Sequence, residues 1–228
     1  MTITSNKSES LIQKEPRADS ITIEDGGNLD HVLIGSCGSI DVHVKKDALY
    51  SPLLLSDKTI QQSLNLTIFL EEPGAEVDLK GLLIGNNEQK INHQVSIHHL
   101  GEHTHSQQYC KTMASDQASI HADSTIIITE NASHSKADQL TKNLLLSPKA
   151  EIKTEPKLMI DNDDVKASHG TSIGALDQQA LFYLQSRGID KDAAQSMLQT
   201  AFINEIVEFI NDDDLKKSVW AQHAAPQK

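Results

Sequence analysis

Between residues 21 and 160 the chain keeps one texture: short apolar or alternating runs separated by turn residues, with no helical period of useful length. Leu64/Leu66/Ile68/Leu70 and Ile40/Val42/Val44 alternate with a period of two, which gives a strand one apolar face. Between the runs stand Gly26-Gly-Asn28, Glu72-Pro-Gly74, Gly85-Asn-Asn87 and Ser147-Pro148, residue types that turn a chain. The pattern predicts about ten short strands in roughly 140 residues, near or below the usual strand length of about 5–6. Two architectures accommodate them, a sandwich and a β-solenoid. The shortness of the runs favours the solenoid. So does the scarcity of hairpin dipeptides: Asp25-Gly26 is the only Asp-Gly, and Asn-Gly does not occur. Gly74-Ala-Glu-Val77, Gln117-Ala-Ser-Ile120 and Lys149-Ala-Glu-Ile152 resemble one turn-then-strand unit repeated at irregular length.

The ends differ from this body. Residues 1–20 are polar and show neither period, so they are expected to form a loosely attached lead. The β body is expected over residues 21–162 and a small helical domain over 163–228. A first helix is predicted from Leu176 to Arg187, stopped by Gly188. A second starts at the N-cap Asp190 and places Ala194, Met197, Leu198, Ala201, Phe202, Ile206 and Phe209 near one stripe. A weaker third helix runs from Asp213 to His223.

The formal net charge of −12 opposes a nucleic-acid grip, which needs a basic face, and opposes attraction to an anionic membrane. No apolar run approaches the length of a membrane span, and the first ten residues lack the apolar stretch of a secretory signal. The expectation is a soluble cytoplasmic protein. Cys37 and Cys110 have no activating base beside them in sequence and are read as buried or idle thiols.

Five of the eleven histidines fall in one window: His93, His98, His99, His103 and His105. On a strand, His103 and His105 share a face and, with Glu102 nearby, could begin a metal site. Polar residues on the outer face of a ladder are the simpler reading. Asp161-Asn-Asp-Asp164 opens like a calcium loop but lacks the glycine and terminal glutamate at the required offsets. His169 stands alone in Ala167-Ser-His-Gly170, where the β body meets the helices.

Residues 158–189 carry more. Asp163-Asp-Val-Lys166, Ser168-His-Gly170 and Ala180-Leu-Phe-Tyr-Leu-Gln-Ser-Arg-Gly188 resemble the signature of the SufB/SufD family of iron–sulfur cluster assembly proteins. His103-Thr-His-Ser106, Lys142-Asn-Leu-Leu-Leu-Ser147 and Ala150-Glu-Ile152 match the same family, so the resemblance covers about residues 65–210. The Ser-His-Gly form points to the SufD-like branch. The resemblance implies a right-handed parallel β-helix followed by a small helical domain, and a scaffold rather than an enzyme. It also implies pairing with a SufB-like protein through the β-helix and docking of a SufC-like ATPase on the C-terminal helices. Phe182, Tyr183 and Arg187 are the candidate dock. His169 becomes a candidate ligand for iron or a nascent cluster facing a SufB-like partner. The chain alone would hold no stable cofactor, the cluster being bound transiently in the complex.

Two departures stand out. Ala167 occupies a position where many relatives have cysteine. The lead before the β body is also shorter than in most relatives, which leaves the first coil without its usual cap. Two readings from other classes remain open. One is a metal-dependent or carbohydrate-active β-solenoid enzyme using the His93–His105 window. The other is a purely structural β-helix homodimer.

Overall fold

The computed structural model describes residues 2–3, 8–14, 17–36 and 38–223. Fifteen strands come first. They are β1 (Thr2–Ile3), β2 (Ser8–Gln13), β3 (Arg17–Ile23), β4 (Asn28–Ile34), β5 (Gly38–Val44), β6 (Leu49–Leu55), β7 (Gln61–Leu70) and β8 (Glu76–Gly85). Then come β9 (Lys90–His99), β10 (His105–Ala114), β11 (Ser119–Ile128), β12 (Lys136–Leu145), β13 (Glu151–Lys153), β14 (Pro156–Ile160) and β15 (Lys166–Gly174). Helices α1 (Gln178–Ser186), α2 (Lys191–Val207) and α3 (Asp213–His223) follow.

Successive strands alternate between two sheets. One sheet has the order β1-β3-β5-β7-β9-β11-β13, with β14 also beside β11, and the other β15-β12-β10-β8-β6-β4-β2. The pairs are parallel, as in β8 with β10 and β10 with β12. A chain that gives one strand to each sheet and returns in parallel one turn later is a parallel β-helix. That settles the choice between sandwich and solenoid. Turn residues stack from coil to coil: the Asn87 N–H donates to Asp116 Oδ2, 29 residues on.

The strands are longer than the runs suggest, ten residues each from β7 to β12. Two short apolar runs of the sequence are halves of one strand. Val77-Asp-Leu79 and Leu82-Leu-Ile84 both belong to β8. Its first half sends Val77 and Leu79 into the main core between the sheets. Its second half sends Leu83 into a smaller core with Ile91 and Ile120, and Leu82 and Ile84 outward under the helices. With both faces buried, period-2 alternation disappears there and the sequence shows a gap where the backbone is continuous.

The expected boundaries also move. Within the lead, Ser8–Gln13 is a strand paired in register with β4, because an adjacent coil supplies the hydrogen-bond partners that polar side chains do not advertise. At the other end the β body does not stop at residue 162. Strand β15 pairs residue by residue with β12 from Lys166 to Gly174, so the helical part begins after it.

The helix ends follow their caps. The Asp177 carboxylate accepts from the Gln179 and Ala180 N–H groups, and that of Asp190 from Asp192 and Ala193. Gly188, at φ +86°, ends α1: its N–H donates to Gln185 O, and the Ile189 N–H to Leu184 O. The buried face of α2 differs from the expected stripe. Ala194, Gln199, Ile203, Ile206 and Val207 are buried, followed by Ile210, whereas Met197 and Phe209 are about half exposed. The row Ile203/Ile206/Val207/Ile210 lies on Leu82, Ile84, Met113 and Leu144, the outward apolar face of the second sheet. Each such side chain stabilises the docking by about 1.5–3 kcal/mol.

Candidate functional site

Strand β15 ends its sheet. Its register places Lys166 beside Lys136, Ala167 beside Ala137, Ser168 beside Asp138 and His169 beside Gln139. The same columns continue into the body as Ser106 and Val77 behind Ala137, and Gln108 and Leu79 behind Gln139. Parallel in-register residues share a face, so Ala167 and His169 lie on the core-facing side of the terminal strand. Deeper in the column Leu79 is fully buried, and Gln108 and Gln139 nearly so. His169 is exposed because no coil among the described residues covers it.

The surroundings fix the backbone of this strand. The Ser168 hydroxyl donates to Asp138 Oδ1 at 2.6 Å. Asn143 Nδ2 donates to Ser172 O at 3.0 Å and to Thr171 Oγ1 at 3.3 Å, tying β15 to β12. Gln139 Oε1 is buried without a hydrogen-bond partner among the described residues. A groove of about 760 Å³ runs beside the strand, lined among others by Tyr109, Leu140, His169, Gly170 and Phe209. Leu140 and Phe209 are 43 % and 55 % exposed, so the groove has an apolar floor next to an open strand edge. Chemically this is a lone imidazole on an edge that no further strand pairs among the described residues, with a nitrogen able to bind a metal ion.

Of the three residues expected to receive a partner, Phe182 and Tyr183 stand on α1 and Arg187 is its C-cap. Phe182 and Tyr183 are 73 % and 57 % exposed, and the Arg187 guanidinium lies 5.2 Å from the Tyr183 ring centroid. Only residues 175–177 separate this helix from β15.

The structure separates the histidines of the window. His93 and His99 are buried, with burial lowering both pKa values to about 4. The two ring nitrogens of His99 meet Thr104 Oγ1 and Ser106 Oγ, each at 2.8 Å. His103 and His105 do not share a strand face. His103 sits in a turn at φ +56° and stacks on His134 at 4.8 Å, and β10 begins only at His105. The αL turn conformation interrupts the alternation that the spacing assumed. Asp161-Asn-Asp-Asp164 is likewise a turn, in which Asn162 Nδ2 donates to Glu130 O and Asp164 meets His134 Nδ1 at 2.9 Å. Among the described residues no group of three or more His, Cys, Asp or Glu is placed to hold a metal ion.

Cys110 faces Gly81 across the ladder, and a Cβ on that glycine would come within 2.7 Å of its Sγ. Burial pushes the thiol up to about 11, as befits an unreactive side chain. Cys37 lies outside the described residues.

The sequence reading missed Lys111. It is 1 % exposed on the outward face of β10, under α2. Its Nζ donates to Phe202 O at 2.6 Å, pairs with Glu205 Oε1 at 2.8 Å and lies 4.4 Å from the Phe202 ring centroid. Tyr109 donates its hydroxyl proton to the other Glu205 oxygen, and Lys142 approaches at 3.7 Å. Lys111 first, then Tyr109, holds the Glu205 carboxyl below its ordinary value. A lysine on an otherwise buried strand is the only local signal for this network. Its acceptors lie some 90 residues downstream, at |i−j| = 91 for Phe202.

The family model described as "SUF system FeS cluster assembly, SufBD core domain" matches residues 20–202. The chain is 38 % identical over 117 residues to the iron–sulfur cluster assembly protein SufD of Escherichia coli, covering 51 % of this chain and 28 % of that protein. It is 33 % identical over 146 residues to SufD of Bacillus subtilis, covering 64 % and 33 %. It is 42 % identical over 86 residues to the chloroplastic protein ABCI7 of Arabidopsis thaliana, covering 38 % and 18 %. The matches thus span a third or less of the length of these relatives. No helix among the described residues is long and apolar enough to cross a membrane.

Proposed function

The chain belongs to the SufB/SufD family of the SUF iron–sulfur cluster assembly system, on its SufD-like side, and from that premise we propose that it is a non-catalytic scaffold subunit of cluster assembly. Its free strand edge pairs with a SufB-like protein. Its exposed α1 face, Phe182, Tyr183 and Arg187, receives a SufC-like ATPase. The nascent cluster, the cargo of the complex, takes one ligand from His169 and the others from the facing chain.

The observation that carries this reading is the position of His169: exposed, on the terminal strand of its sheet, in a column that a further strand would extend. An unpaired edge is a template for another chain. A neutral imidazole binds iron and replaces thiolate in some clusters, holding the metal less firmly than sulfur does. That suits a cluster that is handed on. Ala167, on the same face two residues earlier, supplies no thiol, so the site draws its sulfur ligands from the partner. The cytoplasm is the compartment this role assigns.

The test is co-purification of the chain with SufB-like and SufC-like proteins of the same genome, then anaerobic reconstitution with and without His169→Ala. A three-protein complex whose cluster absorbance falls in the variant supports the scaffold and the ligand together. Undiminished absorbance removes His169 as ligand. A homodimer that persists when the SufB-like protein is added replaces the heteromeric reading.

A further inference from the structure

The helical unit touches the β body through apolar rows and through a polar joint at Glu205, and the joint has a particular place in the register. Glu205 reaches three side chains of the second sheet: Lys111 and Tyr109 on β10, and Lys142 on β12. Tyr109 is in register with Leu140, and Leu140 with Gly170. The joint therefore lands one position from the column Gln108/Gln139/His169. Lys142 is in register with Ser172, and its neighbour Asn143 holds Ser172 O and Thr171 Oγ1. An unbroken chain of bonds thus runs from α2 through β10 and β12 to β15.

The covalent path closes the circuit. β15 passes through residues 175–177 into α1, and α1 passes through Gly188, at φ +86°, into α2. Lys111 is buried, and its charge is met by one carboxylate and one helix carbonyl. A buried charge has no cheaper partner to exchange for these, so the pair fixes α2 in one position on the sheet. α1 packs on the α2 fixed in this way, and β15 is the element to which it is tied by the chain.

We propose that the Lys111–Glu205 pair is the pivot that pins α2 to the β-helix and thereby holds strand β15, with His169, in register with β12. Both residues are positioning residues for the site proposed above, and the inference rests on that reading for its role in assembly.

The test is hydrogen–deuterium exchange on the full chain, comparing wild type with Lys142→Met, Glu205→Gln and Lys111→Met. Exchange of α2 amides at 203–207 is expected to rise in the order Lys142→Met, then Glu205→Gln, and β15 amides at 166–174 are expected to follow in the same order. The rise for Glu205→Gln is roughly tenfold, the size given by losing one hydrogen bond to a charged group. Faster exchange in α2 with β15 unchanged overturns the proposal. If Glu205→Gln or Lys111→Met unfolds the chain, Lys142→Met alone, which removes only the outermost contact, makes the same comparison.

In the complex, Glu205→Gln is expected to retain the ATPase, whose dock is untouched, and to lower the cluster yield. A wild-type chain that binds neither partner defeats the function reading, and the exchange comparison still decides the pivot.

Discussion

Gln139 of β12 lies beside His169 of β15 in the parallel ladder, its side-chain Oε1 buried without a partner while the histidine is exposed. The terminal coil is thus satisfied along its backbone on one side and open in its side chains. Such an exposed position tolerates substitution, with stability expected to change by no more than about 0.5 kcal/mol. His169→Ala should leave thermal unfolding of the isolated chain where it was and act only on the reconstituted complex. His169→Cys should restore cluster absorbance and slow transfer to an acceptor protein, because thiolate holds iron more firmly. His169→Gln should not restore it. Equal cluster yield from the cysteine and glutamine variants would defeat the ligand role.

The joint at Glu205 has its own energetic signature. Glu205→Ala leaves the Lys111 ammonium buried with Phe202 O as its remaining close acceptor, and should cost about 2 kcal/mol. Lys111→Met leaves only a half-exposed carboxylate and should cost less. The double variant should be more stable than Glu205→Ala alone, because the unmet charge is gone. Denaturant titration of the four proteins measures the coupling. Additive losses would mean the two side chains do not act as a pair.

Much of this was legible in the sequence, and the exceptions share a physical cause. Leu64/Leu66/Ile68/Leu70 announced β7 because one face is buried and the other is not. Asp190 and Gly188 announced helix ends because capping is local chemistry. The two halves of β8 were invisible as one strand because both faces become buried midway. β15 showed no alternation because its side chains are exposed or half-exposed throughout, and only pairing with β12 makes it a strand. The motif around His169 marked the residue, but its place on a sheet edge is a property of register. Lys111 could not be placed without its partners on a distant helix.

Acid should weaken the fold earlier than its carboxylates alone would dictate. Burial lowers His31, His93 and His99 to about 4, from an ordinary value of 6.5. In the window between those values the unfolded chain binds protons that the folded chain does not. Stability therefore rises with pH across it and is lost as pH falls, at up to about 1.4 kcal/mol per pH unit for each histidine. Above pH 6.5 these groups contribute no slope. Denaturant midpoints at pH 7.5, 6 and 5 should fall in that order. A midpoint unchanged from 7.5 to 5 would show that the three imidazoles are reached by solvent in the folded state.

Two of these histidines should respond in opposite senses to the same substitution. His93 is 2 % exposed, and neither ring nitrogen has a hydrogen-bond partner among the described residues. Its register neighbours are Leu64 and Ala122, so a leucine there continues an apolar column. Replacing an unsatisfied buried polar group by an apolar one of similar size recovers its desolvation penalty, about 1–2 kcal/mol. His93→Leu should therefore stabilise the chain, raising Tm by about 2–8 °C, and should reduce the slope of stability with pH between 4 and 6.5. His99 is as deeply buried, but its nitrogens meet Thr104 and Ser106. His99→Leu strands the Ser106 hydroxyl, itself fully buried, and should destabilise by about 1–3 kcal/mol. Equal losses from the two variants would mean that the His93 imidazole is hydrogen-bonded, through water held inside the β-helix.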